Sequence, residues 1–94
     1  MKRTYLVAYD IGNARRLRRV AKCCLNVGTR LQKSLYLCTL TEASLEWTWR
    51  ELRMLIDETE DSLTVMPLCK SCLSNMREIG MQSDLQGEPY LYVV

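Results

Sequence analysis

Asp10 closes an apolar run, Tyr5 to Tyr9, and is the only acid among the first 33 residues. Five cations, Arg15, Arg16, Arg18, Arg19 and Lys22, follow it closely. An isolated carboxylate beside a dense set of bases, in a chain with no histidine, suits metal-assisted work on a phosphate backbone. A magnesium ion takes oxygen ligands and keeps several waters, so few carboxylates suffice. One aspartate per chain is a weak site, but two-fold symmetry would bring two copies of Asp10 together. The competing structural reading is that Asp10 only starts the turn into the next helix, or pairs with an arginine.

The charge distribution supports a polyanionic partner. Residues 1–33 hold nine bases and one acid, a net of +8, whereas residues 34–94 hold four bases and ten acids, a net of −6. A basic half points most simply to nucleic acid, and the alternative is that the two halves neutralise each other in the fold. The absence of histidine removes Ser-His-Asp triads, Cys-His pairs, zinc-binding His-x-x-x-His helices and histidine acid–base pairs.

The elements that position Asp10 read as follows. A buried strand covers roughly residues 4–10. Gly12 and Asn13 form a turn, with Asn13 as N-cap, and a helix runs from Ala14 to about Asn26, with Gly28 just beyond its end. Leu17, Val20, Ala21, Cys24 and Leu25 recur at helical spacing as a buried stripe. Arg15, Arg18, Arg19 and Lys22 share another face, with Arg16 beside it. Like charges at i, i+4 repel, so a one-sign face suggests a ligand rather than simple solvation.

Residues 29–40 read as one bent strand, or as two strands bent around Gln32 to Ser34. Thr41 caps a second helix to about Asp57, with Leu45, Trp49, Leu52 and Ile56 as core stripe and Glu46–Arg50 as an i, i+4 pair. Trp47 lies off that stripe. Glu58 to Asp61 is an acidic turn, and Ser62 to Met66 is a strand stopped by Pro67. Cys69 to Asn75 is a helical turn or loop, Met76 to Ile79 a short strand, Met81 to Pro89 a flexible linker and Tyr90 to Val94 a final strand. The order predicts an α+β fold, ferredoxin-like βαββαβ, with an antiparallel sheet, helices on one face and short C-terminal strands. Residues 1–80 form the domain; residues 81–94 form a linker and strand that complete a sheet in a dimer. A homodimer would cover the sheet face left bare by the helices.

Five cysteines, an odd number without a signal peptide, argue against a secreted disulfide framework. No run is long enough for a membrane span, so a cytoplasmic location and no membrane partner are expected. Cys69-Lys70-Ser71-Cys72 is a Cys-x-x-Cys pair. A structural zinc site normally needs four ligands. A thioredoxin-like site would want the pair at a helix start after a strand, which Pro67-Leu68-Cys69 partly imitates. The favoured reading is a reduced pair packing a loop or an incidental disulfide. There is no glycine-rich phosphate loop and no RNP1-like run.

Several separated segments together resemble one family. These are Tyr5-Leu-Val-Ala-Tyr-Asp10-Ile, the basic helix, Gly28-Thr-Arg-Leu-Gln-Lys-Ser34-Leu-Tyr-Leu-Cys38, Leu40-Thr-Glu42 and Asp61-Ser-Leu-Thr-Val-Met-Pro-Leu-Cys69. They are similar to the Cas-two family of small CRISPR-associated adaptation proteins over nearly the whole chain. The resemblance implies a ferredoxin-like homodimer that works with the Cas-one integrase in spacer acquisition and bridges duplex DNA. It also implies a Mg²⁺-dependent endonuclease, with Mn²⁺ as the alternative ion, acting on single-stranded RNA or double-stranded DNA. The family's metal-site aspartate maps onto Asp10 and its neighbouring tyrosine onto Tyr9. Its helix bases map onto Arg15, Arg16 and Arg19, and its hairpin serine onto Ser34. Tyr36 stands where relatives commonly have Phe, which adds a hydroxyl. Two other readings are a non-catalytic architectural DNA-binding subunit and a toxin-like ribonuclease of the same fold.

Overall fold

The structure is a computed structural model that describes residues 1–77. Its elements are β1 (Arg3–Asp10), α1 (Ala14–Val27), β2 (Gly28–Gln32), β3 (Leu35–Leu40), α2 (Glu42–Leu55), β4 (Ser62–Leu68) and α3 (Lys70–Ser74). The four strands form one sheet in the order β2-β3-β1-β4, with every neighbouring pair antiparallel. This is the ferredoxin-like βαββαβ plan. The expected linker and final strand lie outside the described residues, as does most of the expected 76–79 strand; Met76 and Arg77 themselves are not in a strand.

β1 alternates strictly: Tyr5, Val7 and Tyr9 are buried while their neighbours are partly exposed. Period-two alternation places the three on one face. The register carries that face across the sheet, with Tyr5 opposite Cys38 and Val7 opposite Tyr36. On this face they meet Val20, Cys23 and Cys24 of α1 and Leu52 of α2. Fully burying a side chain such as Leu52 contributes about 1.5–3 kcal/mol.

The far face of the sheet is not bare. Leu31 and Leu37 are buried there, with Leu6, Leu35, Leu68, Leu73 and Met76 packed against them. Part of the apolar surface expected to await a second copy is therefore covered within one chain.

The helix caps fall where the sequence places them. The Asn13 side chain accepts the Arg16 N–H at 3.0 Å, and the Thr41 hydroxyl accepts the Ser44 N–H at 3.1 Å. The buried stripe of α1, however, is narrower than its apolar spacing suggests. Leu17 is 39% exposed and Leu25 51% exposed, while Cys23 is buried instead. Helix α1 turns its Cys23 side toward α2, where the Cys23 thiol donates to Glu51 Oε2 at 3.4 Å. Glu46 and Arg50 do not pair; Arg53 meets Glu58 at 3.4 Å instead.

Residues 28–40 form two strands around Lys33 and Ser34, with a register shift between Arg30 and Gln32. Gly28 begins β2 directly from α1. A Cβ there would strike Cys38 Sγ and would lie 2.6 Å from the Leu37 carbonyl oxygen, so close approach of β2 to β3 demands glycine. Strand β4 runs through Pro67 rather than stopping at it, because β4 is an edge strand and the missing N–H breaks no inner ladder.

Candidate nucleic-acid and metal site

Asp10 is held by its neighbours in the chain rather than through its own side chain. On one side, the Tyr9 N–H donates to the Ser34 carbonyl at 3.1 Å, tying β1 to the β2–β3 turn. On the other side, the Gly12 N–H donates to Asp61 Oδ1 at 2.9 Å. The Asp10 side chain itself is exposed and makes no ion pair or hydrogen bond among the described residues. The reading in which Asp10 merely pairs with an arginine is not what the structure shows.

Asp10 lines an open cavity of about 440 Å³ together with Tyr9, Leu17, Arg18, Arg30, Lys33 and Ser34. Three bases and one acid thus share one hollow at the end of the sheet. Leu17, expected in the core, forms part of its apolar wall.

The basic residues of α1 divide into two kinds. Arg15, Arg18, Arg19 and Lys22 are exposed and unpaired among the described residues. Arg16 is engaged inside the fold. Its Nε donates to Asp61 Oδ2 at 2.7 Å, and its Nη2 donates to Asp61 Oδ1 at 3.1 Å and to Glu60 Oε1 at 2.9 Å. The Asp61 side chain has no exposed surface, and it also accepts the Asp57 N–H at 2.8 Å. The Arg16 guanidinium holds the Asp61 carboxyl well below the usual carboxylate range, helped by the Asp57 and Gly12 N–H groups. Arg16, expected among the nucleic-acid contacts, therefore has its guanidinium occupied by two carboxylates. The acidic turn around Asp61 becomes the anchor of the Asp10 loop, a role that spacing within the turn did not signal.

Arg30 is a second residue that sequence reasoning passed over. Its Nε and Nη2 donate to the Tyr36 hydroxyl at 2.9 and 2.8 Å, and its guanidinium lies 5.4 Å from the centre of the Tyr36 ring. Tyr36 is fully buried. Its hydroxyl sits 3.3 Å from that of Tyr9, and the Tyr9 hydroxyl donates to the Lys33 carbonyl at 3.2 Å. The two rings stack with centroids 5.8 Å apart. Burial, then the contact with Tyr36, pushes the Tyr9 hydroxyl pKa up, so Tyr9 stays protonated. Tyr9 lines the cavity, Tyr36 stacks on it from within the core, and the hydroxyl that Tyr36 adds is used to seat Arg30. Ser34 is brought to the rim through its backbone.

Among the described residues, no group of three or more His, Cys, Asp or Glu side chains converges. Asp10, exposed and uncommitted, is the one carboxylate among the described residues that lines the cavity. That donor set fits half of a magnesium site shared by two chains, and it does not fit a complete site within one.

The family model of CRISPR associated protein Cas2 matches residues 3–76. The chain belongs to this family. The chain is 35% identical over 88 residues to a CRISPR-associated endonuclease Cas2 of Halalkalibacterium halodurans, covering 88% of this chain and 92% of the relative. It is likewise 35% identical over 81 residues to a CRISPR-associated endoribonuclease Cas2 of Moorella thermoacetica, covering 81% of this chain and 84% of that protein. The crystal structure of Streptococcus pyogenes Cas2 superposes with a TM-score of 0.77 at 33% identity, covering 82% of this chain and 99% of the other. The Cas2 match spans β1 to α3 and includes every side chain of the cavity. No helix among the described residues is long and apolar enough to cross a membrane.

Proposed function

We propose that this Cas2-family chain is a metal-dependent endonuclease that acts as a homodimer on phosphodiesters of single-stranded RNA or duplex DNA. The observation that carries the proposal is an exposed, unpaired Asp10 in a cavity with Arg18, Arg30 and Lys33. Relatives named as endonucleases and endoribonucleases support the reaction class.

The division of labour follows from charge and placement. Arg15, Arg18, Arg19 and Lys22 hold phosphates along the exposed face of α1, and Arg30 and Lys33 receive the strand inside the cavity. Arg16 is left out of this set because Asp61 and Glu60 already occupy it. Mg²⁺ shared by the Asp10 carboxylates of two chains would supply positive charge at the scissile phosphate and coordination sites for water. The buried, protonated Tyr9 supports the wall beside Asp10.

A second reading has its own observation. One cavity carboxylate per chain, against six exposed or cavity-lining bases on and beside α1, also suits a DNA-holding subunit that bridges the Cas-one integrase without cleaving anything. The test is cleavage of end-labelled single-stranded RNA and duplex DNA, with Mg²⁺ or with chelator. Metal-dependent cleavage of either substrate supports the endonuclease. Tight, salt-sensitive binding without cleavage supports the bridge.

A further inference from the structure

The five cysteines fall into two chemical classes. Cys23, Cys24 and Cys38 are buried in the main core. Burial pushes their thiols up to about 11, 12 and 11 respectively, far from the thiolate range at neutral pH. Such cysteines behave as small core residues. Cys69 and Cys72 are both exposed and lie beyond the end of β4. Their sulfurs are 3.3 Å apart.

The local backbone sets this geometry. Cys69 leaves β4 with extended dihedrals, and the chain then turns through α3, which brings residue 72 back over residue 69. The Cys72 N–H donates to Cys69 Sγ at 3.4 Å. A hydrogen bond to sulfur favours its anionic form, and the Cys69 thiol is accordingly lowered, first by this Cys72 N–H. Lys70 stands between the two cysteines, and no acid occurs from Ser62 to Arg77. The setting therefore meets the requirements of a reactive thiol: exposure, a stabilised thiolate and a resolving partner within reach.

We propose that Cys69 and Cys72 form a thiol–disulfide exchange site, whose substrate is a low-molecular-weight disulfide such as glutathione disulfide. The Cys69 thiolate attacks one sulfur of that disulfide and expels the other half as thiolate, leaving a mixed disulfide on Cys69. Cys72 loses its proton and attacks the Cys69 sulfur, expelling the second half. Two protein thiols are oxidised to one bridge, one small disulfide is reduced to two thiols, and the two protons pass to the released thiolates. The bridge closes the turn between β4 and α3. It thereby fixes the point from which the chain continues, with Leu73 seated in the second apolar cluster.

The test uses the reduced, full-length protein incubated with glutathione disulfide, then alkylated without unfolding and digested with trypsin. Cleavage after Lys70 separates Cys69 from Cys72, so a bridge holds two tryptic peptides together until reductant is added. The expected result is that linked pair, monomeric on a non-reducing gel, with Cys23, Cys24 and Cys38 unmodified. Cys72→Ser should accumulate a glutathione adduct on Cys69, and Cys69→Ser should react more slowly. The proposal is overturned if wild type remains a dithiol while Cys72→Ser collects the adduct, if neither protein reacts, or if the bridge joins two chains. Zinc bound stoichiometrically by the reduced pair would also overturn it.

Discussion

The Asp61 carboxylate joins Arg16, at 2.7 Å, to the Gly12 N–H, at 2.9 Å. One side chain from the loop before β4 thus fixes both the first turn of α1 and the loop that follows Asp10. The sheet brings Asp61 there because β1 and β4 pair with Asp10 opposite Ser62. Removing the charge while keeping the shape, as in Asp61→Asn, is expected to lower Tm by several degrees. It should also increase local exchange at the Gly12 amide, as read by hydrogen exchange.

The same ion pair sets a pH dependence. The Asp61 pKa is depressed in the folded state, chiefly by Arg16, so the unfolded chain binds the proton more readily. Its stabilisation is fully present above the unfolded carboxylate value of about 4 and is lost as pH falls below it. Denaturant melts between about pH 6 and pH 3 should show this decline in wild type, since that interval brackets the unfolded value. Asp61→Asn should be less stable at the upper end and decline less steeply.

Tyr36→Phe tests what the extra hydroxyl does. The buried ring keeps its packing, but both Arg30 hydrogen bonds disappear. A stability loss of about 1 kcal/mol is expected from such a change, readable by urea denaturation. Nucleic-acid affinity should also fall, because Arg30 is no longer seated at the cavity. Unchanged affinity would place Arg30 outside the binding surface.

Gly28→Ala forces a methyl group against Cys38 and the Leu37 carbonyl. Backbone cannot yield as a flexible side chain does, so overpacking of about 1–3 kcal/mol is expected. Chemical denaturation of the purified variant measures it directly.

Arg15→Glu and Arg19→Glu are expected to weaken binding to RNA and DNA. Neutralising either residue should reduce the slope of log affinity against log salt by about one per lost phosphate contact. Arg16→Gln should behave differently, lowering Tm more than it lowers the salt slope. Salt titrations of Arg15→Gln, Arg19→Gln and Arg16→Gln, by fluorescence anisotropy, separate the two kinds of arginine.

Local signals made much of this architecture legible. Asn13 and Thr41 announce helix starts through short-range capping, and β1 alternates without a break, so strand, turn and helix around Asp10 follow from neighbouring residues alone. What escaped depends on partners distant in sequence. Nothing near Arg16 distinguishes it from Arg15, because Asp61 lies 45 residues away. Arg30 was hidden in a stretch whose alternation is broken by the shift between Arg30 and Gln32. Leu17 and Leu25 keep helical spacing, yet the turn of α1 toward α2 leaves them exposed. Pro67 reads locally as a strand stop, and only the sheet order shows that an edge strand tolerates it.

The most direct measurement is metal-dependent cleavage by wild type and Asp10→Asn, prepared identically and matched for folding and nucleic-acid affinity. Asp10 is exposed and unpaired, so the substitution should leave Tm and binding nearly unchanged. Cleavage in Mg²⁺ should fall to the level seen with chelator. Equal cleavage by the two proteins would contradict the account and remove Asp10 from the chemistry.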